Sequence, residues 1–384
     1  MKKKVFKLFQ VMCVTLMLTA CGSSNGSDGD VTIGFNFDLT GAGAQYGEAE
    51  LDGAKLALKI FNENGGFNGK EVKFISLDSK SDQSEAYQAQ TKLAEDGVFA
   101  IVGATISSTS AQAILASEEQ KVPTVTPSAT ADKVTNDGTK GIPYGYRVCY
   151  ADSFQGLTMA NFAVNEKGFK KIGIIADNSS DYAKGLVSVF KAQLESLGGQ
   201  VVVEEYYSTG ETDFSTILTK IRGNTDIEAL FIPGYYNEVG TLIKQARGLG
   251  VDYPILGVDG YDSAELINLA TAEALNNVYY SNHYSNTVES KTRDNFVELF
   301  KAEYGKEPAG FQALAFDATN LVLEALVKAG KADPEAVNAA IESTKGFEGV
   351  TGTISIDSLH NAEKSTFVLE LKDGVEVEAT IVAP

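Results

Sequence analysis

From Val31 onward, short apolar runs alternate with stretches in which apolar residues return every three or four positions. Residues 31–37, 72–77, 99–102 and 124–125 read as strands. Between them, Leu51, Ala54, Leu58 and Phe61 mark a helix that stops at Gly65-Gly66. Residues 84–95 form a second, stopped by Gly97, and residues 111–116 a third. The alternation restarts near Asp152. Helices are predicted over 154–165, 183–197, 214–221 and 237–249, and strands over 171–176, 201–207, 229–232, 255–257 and 278–280. Helices resume at 292–304, 311–329 and 334–343, and the tail predicts strands at 353–356, 367–371 and 375–381. Short apolar strands that alternate with helices imply an α/β fold, with parallel sheets covered on both faces. Two rounds of the pattern imply two doubly wound lobes. Ligands of such sheets sit beyond the carboxyl ends of the strands, so two lobes facing each other there enclose a cleft.

The first thirty residues do not share this pattern. Lys2, Lys3, Lys4 and Lys7 precede an apolar stretch, 11–18, too short to span a membrane as a mature helix. Leu18-Thr19-Ala20-Cys21 resembles a bacterial lipobox, in which the cysteine is diacylated and becomes the mature N-terminus. The polar run 22–30 reads as a flexible tether. The expected division is a signal peptide over 1–20, a lipidated Cys21 with its tether over 21–30, and a globular body outside the cytoplasm. That body is held to the outer face of the bacterial cytoplasmic membrane, or is periplasmic.

Charge and composition narrow the chemistry. The formal net charge of −19 repels phosphate backbones and excludes nucleic acid as a partner. Histidine occurs only at His283 and His360, and cysteine only at Cys13, Cys21 and Cys149. These are too few for a His/Cys zinc cluster or a disulfide scaffold, so no metal is expected. From Val31 onward the nucleophile-elbow, zinc-protease and P-loop patterns are absent. Gly41-Ala42-Gly43-Ala44-Gln45-Tyr46-Gly47 invites a dinucleotide reading, but its last gap is one residue too long. The acid that ends the next strand, Asp78, also lies 31 residues beyond Gly47 rather than about 20. Close helix–strand packing with Tyr46 facing the cleft is the simpler reading, and no cofactor is expected.

The hydroxyl-rich stretch Gly103-Ala104-Thr105-Ile106-Ser107-Ser108-Thr109-Ser110 leaves a strand and enters a helix. Helix-start amides without internal partners suit a phosphate or carboxylate, and the same serines also suit a plain N-cap. Further strand ends carry Thr126-Pro127-Ser128-Ala129-Thr130, Asp181-Tyr182, Gly234-Tyr235 and Asp259-Gly260. Singly each fits a turn or cap; together they point to one edge of the sheets.

With Gln45-Tyr46-Gly47 and Gly210-Glu211-Thr212-Asp213-Phe214, this ordered set resembles the leucine/isoleucine/valine-binding proteins, the solute receptors of branched-chain amino-acid ABC transporters. The resemblance runs from about Val31 to near the C-terminus and implies a type I periplasmic binding protein: two lobes joined by three crossover strands. It implies lobes over 31–150 plus 283–366 and over 151–282 plus 367–384, no enzymatic turnover, and an ABC permease as partner. It also implies Ser107 and Thr130, with Tyr235, at the ligand carboxylate. The Ser128 carbonyl, the Thr130 hydroxyl and Asp259 meet the ammonium, Ala129 lies within the same loop, and Tyr46, Tyr182 and Phe311 wall the side chain. An aliphatic amino acid is the expected ligand, with another small amino acid, an amide or urea, or a sensory role as alternatives. Asp259 stands where the family's best-known members have glutamate, so the ammonium is expected closer in or bridged by water. Thr105 adds a hydroxyl to the first-lobe wall, which loosens the expectation of strictly aliphatic side chains.

Overall fold

The structure, a computed structural model, describes residues 30–383. The expected signal peptide, the expected lipidation site Cys21 and the residues up to Gly29 expected to form its tether lie outside the described residues. The chain opens with β1 (Val31–Phe37), α1 (Ala44–Glu63), β2 (Val72–Asp78), α2 (Gln83–Glu95), β3 (Ile101–Gly103), α3 (Ser107–Gln120), β4 (Thr124–Thr126) and β5 (Gly145–Arg147). These strands make a five-stranded parallel sheet in the order β2-β1-β3-β4-β5.

The middle of the chain runs α4 (Asp152–Asn161), β6 (Lys171–Asp177), α5 (Asp181–Ser196), β7 (Gln200–Tyr207), α6 (Ser215–Gly223), β8 (Ala229–Phe231), α7 (Tyr236–Gly248), β9 (Ile255–Gly257), α8 (Ala264–Ala270) and β10 (Val278–Asn282). It ends with α9 (Lys291–Tyr304), α10 (Gly310–Ala329), α11 (Pro334–Glu342), β11 (Phe347–Gly349), β12 (Gly352–Ile356), β13 (Ala362–Glu363), β14 (Thr366–Lys372) and β15 (Val375–Val382). The second sheet has seven strands in the order β15-β14-β10-β9-β8-β6-β7. It is parallel from β7 to β10, and β14 and β15 extend it antiparallel. A small antiparallel sheet, β11-β12-β13, completes the set.

The chain passes between the two large sheets three times: through 148–151 after β5, from His283 after β10, and through 364–365 before β14. The last three helices and the small sheet return to the first sheet. One buried cluster there joins Phe35 and Val102 to Leu314, Val322, Val337 and Ile354.

Local chemistry sets the element limits. The side chains of Asp82, Ser180, Ser290 and Asp333 cap α2, α5, α9 and α11, each accepting from a backbone N–H in the first turn. Pro334 follows Asp333 at the first helical position, where no N–H is needed. Gly47 lets α1 press on the end of β1, since a Cβ there would run into the Asp38 carbonyl. The glycine-rich stretch therefore serves close packing.

The outcome departs from the sequence reading at several elements, among them the short strands β11 and β13, which the apolar pattern does not show. α3 starts at Ser107, capped by Ile106 with no side-chain hydrogen bond, so neither Ser107 nor Ser108 is an N-cap. α4 ends at Asn161 and continues as one π-helical turn over Phe162–Glu166. The short strand β5 escapes the apolar pattern because its third residue is an arginine, fully buried. α8 escapes it because a helix of 7 residues is too short to show a period.

Candidate functional site

Strands that end at the facing edges of the two sheets deliver the polar and aromatic groups of the site. β1 leads to Tyr46 near the start of α1, β3 to Thr105 and Ser107, and β4 to Ser128 and Thr130. β6 leads to Tyr182 in the first turn of α5, β8 to Tyr235 before α7, and β9 to Asp259. Phe311 comes from the first turn of α10. These nine residues, with Ile106 and Gly260, line one cavity.

Ala129 is the exception among the ten expected residues. Its side chain packs on Ile114 and Val134. Its N–H donates to Thr126 Oγ1 at 3.2 Å, and its carbonyl accepts from Arg147 Nη1 at 2.9 Å. Its polar groups are thus spent inside the fold.

Asp259 is the one formally charged residue among those lining the cavity, and it is buried. Its Oδ1 accepts from the Tyr182 hydroxyl at 2.5 Å and from Gln155 Nε2 at 3.0 Å. Among the described residues its Oδ2 faces only His283 Nε2, at 3.3 Å. Gln155 is fixed in turn: its Oε1 accepts from Asp259 N–H at 2.9 Å and from the Ser281 hydroxyl at 2.6 Å. His283 stacks on Tyr150 with ring centroids 3.6 Å apart. Burial pulls its pKa down to about 4, so the imidazole is neutral. The shorter aspartate is therefore held on three sides, with one oxygen left undersupplied.

The hydroxyl side of the cavity is built on α3. The first hydrogen bond inside that helix is Ser110 N–H to the Ile106 carbonyl at 2.9 Å, so the amides of residues 107–109 precede it. Ser107 Oγ accepts from Ala131 N–H at 3.2 Å, which ties the helix start to the loop bearing Thr130. That loop is held from below by Arg147, whose guanidinium donates to the carbonyls of Ala129, Ala131 and Asp132 and to Thr135 Oγ1.

The aromatic walls are ordered by mutual contact. Tyr182 and Tyr235 lie parallel with centroids 5.0 Å apart, and Tyr46 stacks on Phe311 at 4.3 Å. Tyr46 also bridges the two sides. Its hydroxyl donates to the Gly260 carbonyl at 2.5 Å and accepts from Tyr236 N–H at 3.1 Å.

Thr105 behaves differently from expectation. Its hydroxyl donates to Glu50 Oε2 at 2.6 Å and accepts from Asp38 N–H at 3.1 Å. Its proton is committed to the protein's own groups, so it adds no donor for a ligand side chain.

Glu50, Gln155, Arg147 and His283 were not legible as site residues. A glutamate in a helix reads as a solvated face, and single Gln, Arg or His residues carry no spacing that points to a ligand. The arrangement suits one cationic group beside Asp259, one anionic group among hydroxyls and helix amides, and an apolar body against the rings.

The chain is similar to known proteins over most of its length. The family model described as periplasmic binding protein matches residues 30–376. The chain is 28% identical to the leucine-, isoleucine-, valine-, threonine- and alanine-binding protein of Pseudomonas aeruginosa, over 96% of both chains. It is similar to the branched-chain amino acid transporter substrate-binding protein LivJ of Streptococcus pneumoniae, solved in complex with isoleucine. That match has 38% identity and a TM-score of 0.87, and covers 93% of this chain and 100% of the other. The leucine-binding protein LivK of Thermotoga maritima matches with 34% identity and a TM-score of 0.85, over 92% and 99% of the two chains.

Proposed function

The chain belongs to the periplasmic binding protein family, and from that premise we propose that it is the extracytoplasmic solute receptor of a branched-chain amino-acid ABC importer. It binds leucine, isoleucine or valine in the cavity between the sheets and hands it to the permease. The observation that carries the reading is the half-served carboxylate: Asp259 Oδ2 has one partner, at 3.3 Å, in a cavity with no other formal charge. An ammonium group completes that carboxylate. Ser107, Thr130 and Tyr235, with the α3 amides, receive the ligand carboxylate, while the Ser128 carbonyl and Thr130 hydroxyl add to the ammonium side. Tyr46, Tyr182 and Phe311 enclose the side chain, burying apolar area at about 25 cal/mol per Å². Tyr182 has a second task, since its hydroxyl holds Asp259 in place. Nothing in this assignment requires turnover. The two lobes are 31–150 plus 283–366 and 151–282 plus 367–384, hinged where the chain crosses.

Isothermal titration with leucine, isoleucine and valine tests the reading. A ligand at a hundredfold excess over its dissociation constant stabilises the protein by about 2.7 kcal/mol. Asp259→Asn keeps the shape and removes the counter-ion, at an expected cost of about 2–5 kcal/mol in binding. Ser107→Ala costs about 1–3 kcal/mol, because the helix amides still serve the carboxylate. If all three amino acids give no heat while an amide or urea does, the ligand assignment is wrong. Wild-type affinity in Asp259→Asn overturns the ammonium site.

The lipid anchor rests on Leu18-Thr19-Ala20-Cys21 and the polar tether. Among the described residues no helix is long and apolar enough to cross a membrane. Cys21→Ala is therefore expected to move the protein into the soluble fraction, and retention on membranes through high-salt washing contradicts the anchor.

A further inference from the structure

Glu50 lies on the buried face of α1 with no exposed surface. Its two oxygens meet two cavity residues. Oε2 accepts from the Thr105 hydroxyl at 2.6 Å, and Oε1 is hydrogen-bonded to the Ser128 hydroxyl. Counting protons decides the charge on this group. Ser128 Oγ carries one proton and has two oxygen neighbours, Glu50 Oε1 and the Thr105 carbonyl at 3.0 Å. A carbonyl cannot donate, and neither can a carboxylate. An ionised Glu50 therefore leaves one of those two contacts as a pair of oxygens with no proton between them. The Thr105 hydroxyl cannot make up the deficit, since it accepts from Asp38 N–H and sends its single proton to Oε2. All contacts become hydrogen bonds only when Oε1 carries an acid proton and donates it to Ser128, which then donates to the Thr105 carbonyl.

The surroundings favour the same state. The charge acting on Glu50 is that of Asp38, a like charge at the end of β1. Asp38 is itself served by the hydroxyls of Ser79 and Thr109. α10 packs on α1 where Gly53 meets the Gln312 backbone, and its Asp317 is turned to Val350 and Thr351. Burial pushes the Glu50 carboxyl well above the usual carboxylate range.

We propose that Glu50 is a neutral carboxylic acid that positions the floor of the ligand site, fixing Ser128 with its proton and Thr105 with its carbonyl. The assignment of Ser128 to the ammonium side rests on the function proposed above. Glu50 is a positioning residue: it touches no ligand, and it leaves Asp259 as the one carboxylate that an ammonium meets in the cavity.

Glu50→Gln is the informative variant. Its carboxamide N–H replaces the acid proton toward Ser128, and its carbonyl still accepts from Thr105. Glu50→Ala leaves both hydroxyls without their partner. Two measurements are made. Ligand-free denaturation is followed from pH 4.5, the ordinary value for this side chain, to about pH 8. If the folded protein keeps the acid proton while the unfolded chain releases it, the fold binds more protons. Wild-type stability then falls relative to Glu50→Gln as pH rises through this range. In titration with isoleucine, Glu50→Gln is expected to stay within about threefold of wild type, and Glu50→Ala to lose about tenfold or more. A stability difference that is flat with pH, or of opposite slope, shows an ionised Glu50 and overturns the proposal. So does a loss of affinity in Glu50→Gln as large as that in Glu50→Ala. Wild-type protein that ignores leucine, isoleucine and valine defeats the function proposed above, and the ligand-free pH comparison still decides the state of Glu50.

Discussion

A carboxylate is set for its task by the donors around it, and Asp259 shows how. Tyr182 and Gln155 occupy one oxygen, while the other has only the neutral imidazole of His283. Keeping that imidazole buried and uncharged makes the fold sensitive to acid. Its pKa falls from 6.5 in the ordinary state to about 4 when folded. Between those values the unfolded chain binds a proton that the folded chain refuses, so stability declines as pH drops through the window. The full effect of this one group is about 3 kcal/mol. Asp38 and Asp262, each pushed up to about 6 by burial, act in the opposite sense. His283→Gln isolates the histidine: between pH 7 and about pH 4.5 it is expected to lose less stability than wild type. Equal losses by urea denaturation contradict the account. The site residues that the sequence exposed, such as Ser107, Thr130, Tyr235 and Asp259, all follow a strand end. Those it hid, Glu50, Gln155 and His283, contact the lining rather than belong to a motif.

Elements were most legible where an apolar period is long. β1 and β9 have the limits that the pattern predicts, and α1, α2, α5, α9 and α10 end within a residue or two of their glycine stops or caps. Legibility fails where polar residues are buried for a structural reason. β5 contains Arg147, which has no exposed surface and spends its guanidinium on the carbonyls of the 129–132 loop. A charged residue there looks like a loop in the sequence, yet it sets the backbone that presents Thr130. The antiparallel edge of the second sheet is hidden for another reason: strand direction depends on where a distant segment docks, which periodicity does not record. The hydroxyls of Ser107 and Ser108 invited a capping role, but the chain enters α3 in extended geometry at Ile106, with no side-chain cap.

At the scale of the whole molecule, the two sides are fastened across the cavity. The Tyr46 hydroxyl reaches Gly260 and Tyr236, and Gly310 N–H, at the start of α10, donates to Asp262 Oδ2 at 2.8 Å. A Cβ on residue 310 would run into that same Asp262 oxygen and into Asn282 Oδ1. Gly310→Ala is therefore expected to hold the sides apart. Small-angle scattering with saturating isoleucine should show a contraction in wild type and a smaller one, or none, in the variant, with affinity lower by about tenfold. A variant that contracts like wild type removes Gly310 from the closing contact. The return of β14 and β15 to the second sheet has a further consequence, for the order in which the chain is made. Without those strands β10 is an open edge, its Val278 and Tyr280 bonded on one side only. The first sheet likewise waits for α10 and the small sheet, and so for residues beyond 310. Neither side can close its core until the C-terminal segment that completes it has been synthesised and threaded through an export channel: up to β13 for the first side, and up to β15 for the second.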